Sequence, residues 1–300
     1  MLQGRENVVT ASSDMGGFFA NPERVQHLYW MAKLDVNIEL LLMPYQIFYL
    51  NQLAKGRKIP FEVGGFHGQL GTPKSYKEHE KGLGDWLLIN LFDTFLPNTV
   101  NHKHFLSSTS TLYKVEMAAQ SLKKDLYLNV HQDSVESNFR YYLAASILIS
   151  NLSHLAIENG PGSKDVEKSK VLIQRMKDSG ASRVEGTFDL VHAIVGLLHG
   201  AVPDMTRVSE TWNSVLRSMD QNFTRIHLPI GKNAGDSLPI MAMIKEKKML
   251  KDLGDIVRAR GIRVTLENQQ SLLFGVTDVW AEVERLKTIR DGLQESGIIK

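Results

Sequence analysis

The sequence predicts an α/β protein, a (β/α)8 TIM barrel in which residues 1–300 form one domain. Segments with strand character alternate eight times with segments of helical periodicity. The length of 300 residues fits a fold for which about 250 residues is typical. Polar residues also stand where six of the apolar segments end. An open, doubly wound sheet is the main alternative, because it shares the same alternation.

The composition favours a folded protein with a large core, since 43% of the residues are hydrophobic and 23% are charged. A net charge of +2 neither requires nor excludes a nucleic-acid partner. The chain has no cysteine, so any metal must be held by His, Asp or Glu. The most apolar stretch, 38–44, is broken by Pro44, and no secretion signal is recognisable. A cytoplasmic protein without a membrane segment is therefore expected.

Strands are predicted where apolar runs end at turn-forming or polar residues. The third predicted strand contains Gly64 and Gly65, which indicate a bulge or a close approach of the backbone to a ligand. The eight predicted strands are 7–14, 36–43, 61–67, 125–131, 155–158, 186–190, 223–230 and 261–267, with ends near Asp14, Met43, His67, His131, Glu158, Asp189, Ile230 and Glu267.

Helices are predicted between these strands from the spacing of apolar residues and from Asn-Pro or Gly boundaries. The connection 68–124, between strands 3 and 4, is longer than a simple barrel connection, and we expect it to form a lid over one mouth of the barrel. The predicted helices are 22–33, 48–53, 84–96, 111–122, 139–152, 166–177, 209–219, 240–260 and 276–295.

Polar residues at the strand ends predict a metal site. The strand ends of a barrel converge at one mouth, where three carboxylates and four imidazoles would then crowd together. A single His at a strand end is more often a hydrogen-bonded rim residue, but repetition over six strands favours a divalent cation bound by N and O ligands. The converging residues are His67, His131, Glu158, Asp189, His192, His227 and Glu267.

With these residues in this order, the whole chain resembles the xylose isomerase-like TIM-barrel superfamily, which includes endonuclease IV and sugar phosphate isomerases and epimerases. The resemblance implies that His67 and His131, together with Glu158, hold a further zinc ion. It also matches His192 to the His of an Asp-x-x-His element. The common metal of the superfamily would be held by Glu158, Asp189, His227 and Glu267.

The chain departs from the superfamily pattern after His227. Asp236 can supply the acidic residue expected there, but Leu238 stands where a His would complete a third metal site. We therefore expect one or two ions, zinc or manganese. His192, Lys232 and Asp236 are assigned to substrate binding, with Lys232 as the counter-charge to a phosphate.

Two kinds of chemistry fit these residues. The first is metal-dependent isomerisation or epimerisation of a sugar or sugar phosphate, with Glu158 and Glu267 as acid and base. The alternative is an endonuclease IV-like zinc phosphodiesterase that cleaves DNA at abasic sites. The absence of a His at position 238 and the mild net charge favour the sugar enzyme. A barrel that binds a metabolite without catalysis is a third possibility.

Overall fold

The computed structural model describes residues 9–14, 37–41, 62–67, 112–148, 150–230, 238–267 and 279–299. Each strand pairs in parallel with the next one, and the eighth pairs with the first, so the strands form a closed barrel. The strands are β1 Val9–Asp14, β2 Asn37–Leu41, β3 Glu62–His67, β4 Leu126–His131, β5 Ser153–Glu158, β6 Val184–Asp189, β7 Phe223–Pro229 and β8 Arg263–Glu267.

Six of the predicted strand ends are confirmed, and the end of β7 is wrong by one residue. β2 is described up to Leu41, which pairs with His67, and the end predicted at Met43 lies outside the described residues. β7 ends at Pro229 instead of Ile230, although the Ile230 N–H still donates to the Glu267 carbonyl at 2.8 Å. β5 and β6 begin two residues earlier than predicted.

Helices follow β4, β5, β6, β7 and β8, and a further helix precedes β4. Within the described residues they are α1 112–122, α2 Gln132–Ser137, α3 Phe139–Leu148, α4 Asp165–Asp178, α5 Leu190–Leu197, α6 Met205–Ser218, α7 Ile240–Glu246, α8 Lys248–Arg260 and α9 Val279–Glu295. The alternation of strand and helix is thus confirmed from β4 onwards. The helices predicted at 22–33, 48–53 and 84–96, and most of the predicted lid, lie outside the described residues.

Three helix predictions need correction. The helix predicted for 139–152 is α3, which starts at Phe139 as predicted and spans Phe139–Leu148, and α2 precedes it as a separate helix that was not predicted. The helix predicted for 240–260 is interrupted at Lys247, whose φ of 56° ends α7 and begins α8. α5 was not predicted as a separate element, and it begins directly after β6. Nowhere in the described ranges is there a helix with both the length and the apolar character needed to cross a membrane.

The apolar core lies between the outer face of the barrel and the helices. Along β7, the buried apolar residues Ile226 and Leu228 alternate with Arg225 and His227. Because successive strand side chains point to opposite faces, one set packs against the helices and the other points into the barrel. The helices contribute buried residues such as Ile173, Val215 and Val257 to this core.

The interior of the barrel is polar below the strand ends, although this fold usually fills it with branched apolar side chains. The guanidinium of Arg225 lies 2.5 Å from a carboxylate oxygen of Glu185 and 3.5 Å from the ring centroid of Tyr127. The Tyr127 hydroxyl donates a hydrogen bond to Glu39. We call Glu185, Arg225, Tyr127 and Glu39 the interior column.

The two glycines of β3 have different roles. The register between β2 and β3 shifts at Ile38 and Glu39 and leaves Gly64 unpaired, which confirms the predicted bulge. Gly65 packs against Tyr127, whose ring carbon would lie 2.4 Å from a Cβ atom at this position. Gly65 therefore makes room for the tyrosine of the interior column. The packing of Tyr127 explains this glycine without a ligand close to the backbone.

Replacing Gly65 with Ala should destabilise the fold by about 1–3 kcal/mol, the usual cost of overpacking a core. The new methyl group would displace the Tyr127 ring. Urea denaturation measures the loss, and the same substitution in a Tyr127→Leu background is the control. An equal loss in both backgrounds would contradict the assigned clash.

Candidate metal centre

The candidate site lies at the carboxyl ends of β3 to β8. His67, His131, Glu158, Asp189 and Glu267 are the last residues of their strands. His227 lies two residues before the end of β7, where it pairs with Asp189 of β6. Parallel pairing thus brings all of these side chains to one mouth of the barrel.

Glu158 is at the centre of the site and is 1% exposed. Its Oε2 atom lies 3.1 Å from Nε2 of His67 and accepts a hydrogen bond from the side-chain amide of Asn129. Its Oε1 atom lies 3.7 Å from Nδ1 of His192 and 3.9 Å from Nδ1 of His131. One carboxylate therefore contacts imidazoles from the ends of β3 and β4 and from the first turn of α5.

His227 is fully buried, and its two ring nitrogens face different groups. Nδ1 lies 3.6 Å from Oε2 of Glu158 and 3.7 Å from Oε2 of Glu267. Nε2 lies 3.4 Å from Oε2 of Glu39. Burial opposes protonation of this ring, but the charges of Glu39, Glu158 and Glu267 outweigh burial and raise the pKa of His227 to about 10.

Two of the other imidazoles respond to the same field, whereas burial lowers the pKa of the third, His131. Burial lowers the pKa of His67, but the hydrogen bond to Glu158 and its charge prevail and raise the pKa to about 9. Burial likewise opposes protonation of His192, whereas the charges of Asp189 and Glu158 raise its pKa to about 9. The site therefore attracts positive charge strongly, which is the property expected of a cation site.

The carboxylates differ from one another. Burial works against the ionised form of Glu158, but the surrounding imidazoles, His131 and His227 foremost, hold its pKa well below the usual range. Burial is the main cause of the raised pKa values of Asp189 and Glu267, and the charge of Glu158 adds to it. Glu158 thus carries the most firmly ionised carboxylate of these three.

Asp189 is held by the elements on both sides of it. Its Oδ1 atom accepts the backbone N–H of His192 at 2.7 Å and caps α5. The side chain of Asn159 accepts the backbone N–H of Asp189 at 2.9 Å and donates to its carbonyl at 3.2 Å. The Asn159 carbonyl lies 2.9 Å from Nδ1 of His192. These bonds fix the ends of β5 and β6 relative to each other.

Four imidazoles form a row from the interior to the rim of the site. Ring centroids are 6.0 Å apart for His227 and His67, 5.4 Å for His67 and His131, and 6.0 Å for His131 and His192. The first two rings are buried, whereas the side chains of His131 and His192 are 39% and 23% exposed. A small molecule would therefore approach from the side of His131 and His192.

Four groups of three side chains can place one ligand atom each within 4.8 Å of the others. They are Glu39–His67–His227, His67–His131–Glu158, Glu158–Asp189–His192 and Asp189–His227–Glu267. The second and fourth groups correspond to the further zinc site and to most of the common site that the resemblance implies.

The donor atoms fit a divalent cation. Within the described part of the chain, the buried Nδ1 atoms of His67 and His227 make no hydrogen bond, whereas Nε2 of His227 faces the Glu39 carboxylate at 3.4 Å. Each buried polar atom without a hydrogen bond costs about 1–3 kcal/mol. A cation that takes imidazole nitrogen and carboxylate oxygen would satisfy such atoms, and zinc and manganese accept these ligands. These clusters are therefore able to bind a metal.

Comparisons with protein-family models and with curated proteins find no match. Among solved structures, the chain is similar to the apo form of 3-keto-D-glucoside 4-epimerase YcjR from E. coli, with a TM-score of 0.52 and 10% sequence identity over 96% of this chain and 100% of that one. The chain has a TIM-barrel fold.

Two further structures are similar at lower scores. D-psicose 3-epimerase from Clostridium cellulolyticum H10, in complex with D-tagatose, has a TM-score of 0.45 and 10% identity, over 96% of both chains. SacUVDE has a TM-score of 0.35 and 13% identity, over 95% of this chain and 99% of that one. Both scores are too low to support a structural argument about this chain.

Most of the predicted site residues come together at one mouth of the barrel, while two lie outside the described residues. The two residues outside the described ranges are Lys232 and Asp236. Leu238 packs in the apolar core with 4% exposure, so its side chain does not take the place of a ligand. The residues that come together are His67, His131, Glu158, Asp189, His192, His227 and Glu267.

Glu39, Asn129 and Asn159 also belong to the site, and the sequence analysis missed them. Glu39 lies between Ile38 and Leu40 in a strand that a barrel buries on both faces. A carboxylate in such a strand needs a buried partner, and this requirement was the signal that could have identified it. Asn129 and Asn159 carry no comparable signal, since their partners are known only from the fold.

Proposed function

We propose that this chain is a divalent-metal-dependent isomerase or epimerase that acts on a sugar or sugar phosphate, on a complete (β/α)8 barrel. It uses one or two ions of zinc or manganese. Asp189, His227 and Glu267, with Glu158, hold the first ion, and His67 and His131, again with Glu158, hold the second. His192, Lys232 and Asp236 contact the substrate.

The observation that carries this proposal is the position of Glu158 and Glu267. They end β5 and β8, yet both carboxylates lie within 3.7 Å of the same ring nitrogen of His227. Two carboxylates that converge on one point can act on one substrate carbon from two directions. Such a pair suits a reaction in which a proton leaves a carbon and returns to it or to its neighbour.

A bound divalent cation would supply Lewis-acid polarisation of the substrate oxygens next to the reacting carbon. Glu158 or Glu267 takes the proton from the carbon beside the carbonyl group, and the other carboxyl group returns a proton. Return to the opposite face of the same carbon is epimerisation, and return to the neighbouring carbon is isomerisation. Asn129 and His67 hold Oε2 of Glu158 in place during this transfer.

The comparison with an enzyme adds support at the level of the fold. The structure with the TM-score of 0.52 is named as an epimerase of a 3-keto-glucoside. One fold supports many reactions, so this likeness is an analogy, and the chemistry proposed for this chain follows from its own carboxylates and imidazoles.

The test has two steps, and the first is elemental analysis of the purified protein after loading with zinc or manganese. We expect one or two tightly bound ions per chain, because Leu238 is an apolar core residue at the position where a third site would need a His. Three full sites would contradict this number and favour the endonuclease IV-like alternative, and no bound ion would contradict the proposal.

The second step follows solvent exchange. The loaded protein is incubated in deuterium oxide with ketoses, keto-sugars and their phosphates, and NMR spectroscopy detects deuterium at the carbon beside the carbonyl group. We expect enzyme-dependent exchange with at least one of them, and no exchange with the Glu267→Gln variant. Cleavage of a duplex with an abasic site, without exchange into any sugar, would instead identify a phosphodiesterase.

A further inference from the structure

The environment of His227 divides into two sides. Nδ1 faces the carboxylates of Glu158 and Glu267, and Nε2 faces the carboxylate of Glu39 at 3.4 Å. Both Glu39 and His227 are fully buried, so water does not compete for the contact between their side chains. The imidazole therefore stands between the candidate metal centre and a carboxylate that belongs to the interior column.

We propose that Glu39 is a positioning residue, which holds the Nε2 proton of His227 and thereby directs Nδ1 at the bound ion. Histidine ligands commonly donate their second ring proton to a carboxylate, which fixes the ring orientation and strengthens the ligand. The inference rests on the proposed metal centre and adds a supporting residue to it, from a strand that contributes no ligand in the proposed function.

The position of Glu39 is itself determined by its neighbours. Its Oε2 atom accepts the hydrogen bond from the Tyr127 hydroxyl. The ring of Tyr127 is packed between the guanidinium of Arg225, 3.5 Å from its centroid, and the backbone of Gly65. The carboxylate thus has little freedom to turn away from His227. The interior column below the site serves, through Glu39, as the support of one ligand.

A direct role for Glu39 as a metal ligand fits the contacts less well. Glu39, His67 and His227 can bring their donor atoms together. However, Oε2 of Glu39 already accepts the hydroxyl of Tyr127 and faces Nε2 of His227. An ion bound to Oε2 would displace both contacts, and only Oε1 of Glu39, which is buried without a hydrogen bond among the described residues, would be left for direct ligation. An ion on the Nδ1 side of the His227 ring displaces neither contact of Oε2.

The first measurement is metal affinity, by competition with a chelator, for wild type and the Glu39→Gln variant. We expect the affinity for zinc to fall by about 10–100-fold, the usual effect of removing such a supporting carboxylate. Tyr127→Phe leaves Glu39 and His227 in place but removes one hydrogen bond, so a smaller loss in the same direction is expected.

The matched control is Glu116→Gln, a second buried carboxylate changed in the same way. Glu116 is 3% exposed and accepts backbone N–H bonds from Asn151, Leu152 and Ser153, away from the carboxyl ends of the strands. This variant should lose stability but keep the affinity of wild type. Thermal denaturation and circular dichroism establish that each variant is folded before affinities are compared.

The second measurement is NMR spectroscopy of protein with 15N-labelled histidine, with and without zinc, where His227→Asn assigns the signal. We expect a slowly exchanging Nε2 proton on His227 in both states of wild type. In Glu39→Gln this proton should shift upfield and exchange faster, and Glu116→Gln should leave it unchanged. Tyr127→Phe should move it in the same direction by a smaller amount.

The outcomes separate this inference from the proposed function. If wild type binds no ion, the metal centre is wrong, yet the Nε2 signal of the metal-free protein still tests the contact with Glu39. An unchanged affinity and an unchanged Nε2 signal in folded Glu39→Gln would overturn the positioning role. The positioning role would also be overturned if Glu39→Gln lost one complete ion and NMR showed Nε2 of His227 bound to metal in wild type, because Glu39 would then be a ligand.

Discussion

Replacing Glu158 with Gln is expected to abolish tight metal binding. The decrease in affinity should exceed the decrease of about 100-fold that is typical when only a supporting residue is removed. Glu158 lies within 3.9 Å of four imidazoles and belongs to two of the four candidate ligand groups. The amide keeps the shape but loses the charge that a cation requires. Chelator competition measures affinity, and the solvent-exchange assay measures turnover.

Glu267→Gln should have the same effect, since Glu267 belongs to the group with Asp189 and His227. Glu116→Gln is again the control for the loss of a buried charge at a distance from the site. Full metal occupancy and unchanged activity in both Glu158→Gln and Glu267→Gln would contradict the proposed centre.

Replacing Glu185 with Gln should lower the free energy of unfolding by about 3 kcal/mol, because it leaves the charge of Arg225 buried without its partner. Arg225 is 2% exposed, and its Nε and Nη2 atoms donate to Oε1 of Glu185 at 2.8 Å and 2.5 Å. Urea denaturation measures the change. Adding Arg225→Met should recover part of the loss, and a double variant less stable than Glu185→Gln alone would contradict the pairing.

The same pair predicts how stability depends on pH. Burial opposes ionisation of Glu185, but the charges of Arg225, His154 and Arg263 and a hydrogen bond from Thr224 lower its pKa from 4.5 to about 2. Because the folded-state pKa is the lower one, the stabilisation is complete above pH 4.5 and is lost as pH falls towards 2. Glu185→Gln should therefore flatten the acid limb of the stability curve.

The strand ends could be predicted because each apolar run stops at a polar residue. Leu155–Ile157 followed by Glu158 is one example, and Phe188 followed by Asp189 is another. Parallel pairing then brings the ends together without further information, so the membership of the cluster follows from the order of the strands. Lys232 and Asp236 lie outside the described residues, and their role stays a prediction.

The interior column and α5 could not be predicted as readily. Glu185 and Arg225 are charged residues inside strands, and their pairing depends on a register that shifts between Gly186 and Thr187. The apolar run after Asp189 has no loop residue to separate it from β6, so its helix was not distinguished from the strand. Local periodicity does not determine such junctions, because side-chain packing in three dimensions decides them.

Two junctions between strand and helix have a consequence for recognition. β4 leads into α2 at His131, and β6 leads into α5 at Asp189, without an intervening loop. The backbone at such positions loses its conformational entropy when the barrel folds, so little backbone ordering remains to oppose the binding of a ligand. These two residues are preorganised in this sense, since the folding of the barrel has already restricted them.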